Sequence, residues 1–284
     1  MPSSLTPDYH IHTPFCGHAQ GETEEYVKNA VSIGLEEICF CDHLDRYYLS
    51  APQKRRHMNW GIPPSLLHEY LKEVDTLKQK YNGVIRIKKG LEIDYVKGYE
   101  EMLLKEIQGI DLDFRLGSIH CLPELGWKHP SLYKNTDPIR IIELYFHNMC
   151  SAAESTLFDS IAHPLYILRH LPETENLDES VKVSMKEFID TAAEHSIPVE
   201  INSKDYLFSC RRKKNHDNTG LFTYLLEAIS KRGVRITTGS DAHAPAETGI
   251  AFHKVGENLL NNGIVECCSF TNRNRNIERI TQDP

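Results

Sequence analysis

The strongest constraint on this chain is an alternation repeated along most of its length. Short apolar stretches are each followed by a helix-like segment, and most of the stretches end in histidine, aspartate or glutamate. The ends read Tyr9-His10-Ile11-His12, Cys41-Asp42-His43, Leu91-Glu92, Ile119-His120, Ala162-His163, Glu200-Ile201-Asn202 and Gly239-Ser240-Asp241-Ala242-His243. Between them lie segments with apolar residues at helical spacing, such as Tyr26, Val27, Ala30, Val31 and Ile33. Strand-then-helix alternation predicts a parallel sheet, because each crossover returns the chain to the same edge of the strands. Seven such units in 284 residues favour a closed barrel over an open doubly wound sheet. No glycine-rich phosphate loop follows the first strand to support the open sheet. The expected architecture is α/β: a distorted seven-unit β/α (TIM-like) barrel with rim insertions, one domain over residues 1–284.

Three stretches stand outside the alternation. Residues 44–62 and 121–136 are polar and read as loops over the rim. Residues 203–217 carry Lys204, Arg211, Arg212, Lys213 and Lys214 and form the most basic local stretch. The tail from about His253 has a weak helix signal and reads as peripheral. Arg115 interrupts a strand that is otherwise apolar and has no evident partner in the sequence.

The formal charge is −8, from 32 Lys plus Arg against 40 Asp plus Glu. That balance argues against general adhesion to nucleic acid or to a membrane surface. No apolar run reaches spanning length, and the first residues lack the pattern of a secretory signal. The eight cysteines are scattered without Cys-x-x-Cys pairs, which fits reduced thiols in a cytoplasmic protein. Cys39 and Cys41, inside an apolar strand, read as packing residues.

Histidine carries the chemical signal. Residues two apart on a strand project to the same face, so His10 and His12 can address one ion together. A lone histidine at a strand end is most simply a polar cap. Histidines and carboxylates recurring at the same end of successive strands are what a metal or catalytic site requires.

Asp8-x-His10-x-His12 with His18, Asp42-His43, Gly90-x-Glu92, Gly117-Ser118-Ile119-His120, Ala162-His163-Pro164, Glu200-x-Asn202 and Gly239-Ser240-Asp241-Ala242-His243 resemble the PHP (polymerase and histidinol phosphatase) superfamily. Within it the chain looks like the monofunctional histidinol-phosphate phosphatases. The resemblance spans about residues 8–245. It implies a distorted seven-unit barrel, a trinuclear metal cluster, and hydrolysis of L-histidinol phosphate in histidine biosynthesis. It assigns one ion to His10, His12, Glu92 and Asp241. A second falls to Glu92, His120 and His163, and a third to His18, His43 and His243. Such mixed ligands suit zinc, iron or manganese.

The chemistry that follows is attack on phosphorus by a metal-activated hydroxide, with no phosphoenzyme, since no Ser or Cys nucleophile motif is evident. Asp42 is expected to orient His43 or to shuttle a proton. Asp241 or a histidine, His243 included, is a candidate for protonating the leaving oxygen. Arg169 is the first candidate for binding phosphate, Arg211 or Arg212 the second, and Ser118 a third. The expected partner is a small-molecule phosphate ester, with neither nucleic acid nor membrane, handled by a monomer or homodimer.

Other readings predict different behaviour. A PHP-type phosphoesterase or nuclease would release nucleotides from single-stranded DNA. A non-catalytic metal-binding barrel would hold metal without turnover. An amidohydrolase-like C–N hydrolase also uses His-x-His on a first strand, but would want lysine where this chain has Glu92.

Overall fold

The structure is a computed structural model that describes residues 7–57, 60–133, 135–172, 177–211 and 220–280. Seven parallel strands run in the order of the chain: β1 (Asp8–Ile11), β2 (Glu37–His43), β3 (Arg86–Asp94), β4 (Phe114–Ser118), β5 (Ser160–Ile161), β6 (Val199–Asn202) and β7 (Ile236–Gly239). The sheet closes into the expected β/α barrel beyond the end of β7. There the His12 amide donates to the Ala242 carbonyl at 2.9 Å, and the Ala242 amide donates to the His10 carbonyl at 3.3 Å.

Helices cover the outside in alternation. They are α1 (Thr23–Ser32), α2 (Ala51–His57), α3 (Leu67–Lys80), α4 (Glu100–Glu106), α5 (Pro138–Ser155), α6 (Leu177–Glu194), α7 (Ser203–Arg211), α8 (Gly220–Arg232) and α9 (Phe252–Asn261). Their buried faces follow from sequence spacing. Tyr26, Val27 and Ala30 of α1, and Phe222, Leu225, Leu226 and Ile229 of α8, recur three or four residues apart and pack on the strands. Helix α5 starts cleanly because the Asp137 side chain accepts from the Ile139 amide and Pro138 occupies the first turn.

Two expectations are corrected. Residues 44–62 are not only loop: they contain α2, and Leu44 and Ile62 form a parallel bridge. A helix of seven residues buries too little apolar surface to leave a periodic signal. The tail is not peripheral. After α9 it forms an antiparallel hairpin of β8 (Glu266–Thr271) and β9 (Asn274–Arg279). Cys268 and Phe270 of this hairpin join Tyr9, Cys39, Cys41, Phe114, Leu116 and Ala162 in a buried cluster inside the barrel. The Phe270 amide donates to the Tyr9 hydroxyl at 2.6 Å, and that hydroxyl donates in turn to Glu37. The hairpin therefore plugs the amino-terminal mouth of the barrel, and the carboxyl-terminal mouth carries the polar side chains. Cys39 and Cys41 are packing residues, with burial pushing both thiols up.

Candidate metal centre

Glu92, two residues from the end of β3 and fully buried, is the hub. Its Oε2 lies 3.1 Å from His10 Nε2, 3.5 Å from His12 Nε2 and 2.8 Å from His43 Nδ1. Its Oε1 lies 3.0 Å from His163 Nε2 and 3.3 Å from His120 Nε2. Asp241 approaches from the far side, with Oδ1 3.3 Å from His12 Nε2 and 3.8 Å from His10 Nε2. His18 and His243 meet at the outer edge, their Nε2 atoms 2.7 Å apart. Every histidine, glutamate and aspartate expected to hold metal thus converges on one barrel mouth.

The backbone is strained where it delivers two of these groups. His163 has φ 27° and Asp241 has φ 54°, both in the left-handed region that side-chain-bearing residues rarely enter. Gly239 supplies the other special position. A Cβ there would collide with His10 and with the Glu200 carboxylate, so only glycine lets those two groups meet beneath the cluster.

The donor set fits a cation. The Nδ1–H of His10 donates to Glu200 at 2.7 Å, and that of His120 donates to Asp94 at 2.6 Å. Each ring then turns Nε2 toward Glu92, where an unprotonated nitrogen would set a lone pair against the carboxylate. A lone pair facing a carboxylate is repulsive unless positive charge lies between them. The carboxylate–histidine arrangement is the usual support for a metal ligand. Burial disfavours charge on His10, but Glu200 and Glu92 outweigh it and lift its pKa to about 10. At the outer edge the demand reverses. Burial and neighbouring His12 hold His18 down at about 4 and His243 at about 2, leaving neutral imidazoles, the form that binds metal. Several ring nitrogens, including both of His12 and Nδ1 of His43, are buried without a hydrogen-bond partner among the described residues. Within the set, His10, His12 and Glu92, then His12, His43 and His243, then His43, Glu92 and His120, each bring one ligand atom within 4.8 Å of the others.

Other expected residues fall as follows. Asp42 does not touch its neighbour His43, because adjacent residues on a strand face opposite ways. It accepts from the Thr13 amide at 2.7 Å and from the Thr13 hydroxyl, and lies 3.5 Å from His12 Nδ1. The ring it approaches is that of His12. Asp8, two residues before His10, stays out of the cluster. It accepts from the Ser240 and Gly249 amides at 2.9 and 3.0 Å and laces the barrel shut. Ser118 is buried and donates to Asp94 at 3.2 Å, so it braces the support of His120. Arg169 reaches the rim, with Nη2 2.7 Å from Asp205 Oδ1 and 3.2 Å from Asn202 Oδ1, and Nη1 3.4 Å from Asp241 Oδ2. Arg211 is exposed at the last residue of α7, and Arg212 lies outside the described residues.

Sequence reasoning assigned no role to Glu200, Asp94, Arg46 or Lys204. Glu200 and Asp94 each precede or follow a recognised residue by two on a strand, so the strand period could have found them. Arg46 is fully buried, paired with Asp94 at 3.1 Å and lying 3.7 Å from the centre of the Trp60 ring. Lys204 donates to the Asp241 carbonyl and pairs with Glu247 at 3.0 Å.

The PHP domain model matches residues 8–204, and a probable histidinol-phosphatase of Deinococcus radiodurans is 30% identical over 250 residues, 86% of this chain and 89% of the relative. The chain belongs to the PHP family. The clustered side chains from His10 to His163, and Glu200 beneath them, lie within the matched segment. Among PHP relatives, a histidinol-phosphatase of Lactococcus lactis is 25% identical, the match covering 93% of this chain and 94% of the relative. The crystal structure of a histidinol phosphate phosphatase from the same organism, complexed with zinc, L-histidinol and phosphate, superposes with a TM-score of 0.80 at 22% identity. It covers 96% of this chain and all of that one. That likeness extends the PHP fold to the whole barrel, C-terminal elements included.

Proposed function

We propose that the chain is a metal-dependent phosphomonoesterase that hydrolyses L-histidinol phosphate to L-histidinol and phosphate, a step of histidine biosynthesis. The observation that carries this reading is the cluster built on Glu92, in a chain that matches histidinol-phosphatases over nearly their full length. We read three divalent ions, zinc, iron or manganese, divided among His10, His12, Glu92 and Asp241, then Glu92, His120 and His163, then His18, His43 and His243. When bound, such ions supply an activated water and neutralise charge on a phosphoryl group.

The residues of the chain do the rest. Arg169 is our first candidate for binding the phosphoryl oxygens. Burial opposes its charge, but Asp205 and Asp241 outweigh that and keep the guanidinium ionised. Its side chain is part-exposed at the rim and its Nη1 makes only a 3.4 Å contact to Asp241, which leaves a donor for substrate. Asp241 is held ionised against burial by His12 and His10. With His243 held neutral, both favour a ligand's role over delivering a proton to the leaving oxygen. Glu200 and Asp94 keep His10 and His120 in the tautomers that face the ions, and the Asp42 carboxylate lies 3.5 Å from His12 Nδ1. Tyr166, ring centroids 4.9 Å from His163 and 5.1 Å from His120, joins His129 and His170 in an aromatic wall at the rim. We assign that wall to the imidazole end of the substrate.

We read residues 1–284 as one domain that works as a monomer or homodimer on a small phosphate ester, not on nucleic acid. All eight cysteines are free, which supports a reducing, cytoplasmic setting. Among the described residues, no helix is long and apolar enough to cross a membrane. The test is phosphate release from histidinol phosphate, other small phosphomonoesters and single-stranded DNA, with metal analysis of the same sample. A selectivity for histidinol phosphate is expected, and preferential nucleotide release would overturn the assignment.

A further inference from the structure

The opposite mouth of the barrel has a feature that phosphoester hydrolysis does not use. Asp159 and Arg235 precede β5 and β7, and the β8–β9 hairpin brings Arg273 and Arg275 beside them. Together with Phe158, Phe270 and Ile277 these residues line a cavity of about 340 Å³. That is the scale of a small-molecule site, for which ~300–1,000 Å³ is usual. The turn at Asn272 and Arg273, with φ 49° and 63°, is the left-handed pair that tight hairpins require, and it fixes where Arg273 projects.

The charge there is unbalanced. Among the described residues Asp159 is the one carboxylate in the lining, and it is saturated. It accepts from Arg273 Nε and Nη2, both at 3.0 Å, and from the Arg115 amide at 2.8 Å. Arg235 and Arg275 have no carboxylate within ion-pair distance among the described residues. Arg275 uses Nη2 on the Ser196 carbonyl at 2.9 Å, while its Nε is buried without a partner. Arg115, on β4 behind Arg273, also buries an unpartnered Nε; burial and Arg273 both push its pKa down, against Asp159. Guanidinium groups that outnumber their counter-charge, in a chain of net charge −8, mark a place for an anion. Several forks side by side suit the many oxygens of phosphate better than one carboxylate. The aromatic rings and Ile277, a large apolar side chain left 44% exposed, give the rest of the ligand an apolar surface.

We propose that this amino-terminal mouth is a second binding site, separate from the metal centre, for a small organic phosphate with a flat apolar moiety, of the class of a nucleoside monophosphate. The test uses the metal-loaded full chain with AMP, inorganic phosphate and adenosine as probes. The readout is hydrogen exchange of the amides of residues 270–277, which lie at the far mouth from the catalytic cluster. AMP is expected to slow exchange there saturably, with a midpoint raised about tenfold or more by Arg235→Ala or Arg275→Ala and unchanged by Arg169→Ala. Inorganic phosphate should bind at least about tenfold more weakly than AMP, adenosine should give no protection, and hydrolysis of histidinol phosphate by Arg235→Ala should match the parent. Absence of protection at millimolar AMP would overturn the proposal. So would a midpoint that ignores both arginine variants, follows Arg169, or is matched by inorganic phosphate. Arg235 is exposed and Arg275 part-exposed, and neither belongs to the apolar core, so truncating either leaves that core intact.

Discussion

The Nδ1–H of His120 donates to Asp94 at 2.6 Å, and the other oxygen of Asp94 is held by buried Arg46 at 3.1 Å. This arrangement fixes the ring so that Nε2 faces Glu92. Burial works against ionising Asp94, yet Arg46 and His120 outweigh it and hold its pKa at about 2. Asp94 therefore acts as a charged brace at every working pH. Replacing it with asparagine keeps the shape and removes the charge. Asp94→Asn is expected to lower metal affinity or activity by about 10- to 100-fold, the usual cost of losing a ligand's carboxylate partner. Metal titration followed by phosphate release checks it, and a variant with parent-like affinity and turnover would remove Asp94 from the centre.

Arg169 offers a separable effect. Because its contacts are to Asp205, Asn202 and Asp241 and not to the histidines, its loss should spare most of the metal ligands. Arg169→Ala is expected to raise KM by at least about tenfold while metal content stays near that of the parent, as loss of a phosphate contact does. Arg169→Lys should recover only part of this, since an ammonium cannot reproduce the bidentate fork. Steady-state kinetics beside metal analysis decides between substrate binding and a structural role. Unchanged KM in both variants would exclude the phosphate contact.

Glu92 should behave differently from any single histidine. Its two oxygens face five imidazoles between them, so its removal disturbs every part of the cluster at once. Glu92→Gln is expected to lose activity by about 10³-fold or more and to retain less metal than His18→Ala, whose ring lies at the half-exposed edge. Chelation of the parent should abolish turnover, with recovery on adding back zinc or manganese. A chelated sample that kept its rate, or a Glu92→Gln variant with full metal content, would break the link between the hub and catalysis.

Much of this was legible in the sequence because barrel strands end where chemistry is done. Reading the strand ends alone located His10, His12, His43, Glu92, His120, His163 and Asp241. Two kinds of feature escaped. The supports Asp94 and Glu200 lie two residues from recognised positions on the same strand face, but their role depends on which ring comes opposite, and that is set by barrel closure. Asp42 was matched to its sequence neighbour His43, but the ring it approaches is that of His12, just past the end of the adjacent strand β1. The hairpin was missed because Glu266–Thr271 reads as a run of small and sulfur-bearing residues without clean alternation. Its turn, moreover, is made by Asn272 and Arg273 and not by a glycine pair. Tyr9, in the first motif, turned out to be where that hairpin is anchored.

The hairpin's second anchor gives a prediction in pH. Asp113, just before β4, accepts from the Asn272 amide at 3.0 Å and the Lys89 amide at 3.1 Å, and Lys78 lies 3.3 Å away. Burial raises its pKa, but these amides and Lys78 outweigh burial and hold it below the ordinary aspartate value. A carboxyl depressed on folding adds stability that is fully present above the unfolded-state pKa, near ~3.9, and is lost as pH falls through the folded value. The parent should therefore lose stability below about pH 4 with a steeper slope than Asp113→Asn, which keeps an acceptor but cannot titrate. At neutral pH the variant should be destabilised by about 1–3 kcal/mol, since charge-assisted bonds to buried amides are replaced by weaker ones. Denaturant unfolding from about pH 3 to about pH 7 checks both arms. Parallel stability curves for parent and variant across the acid arm would show that Asp113 does not tie the hairpin down through its charge.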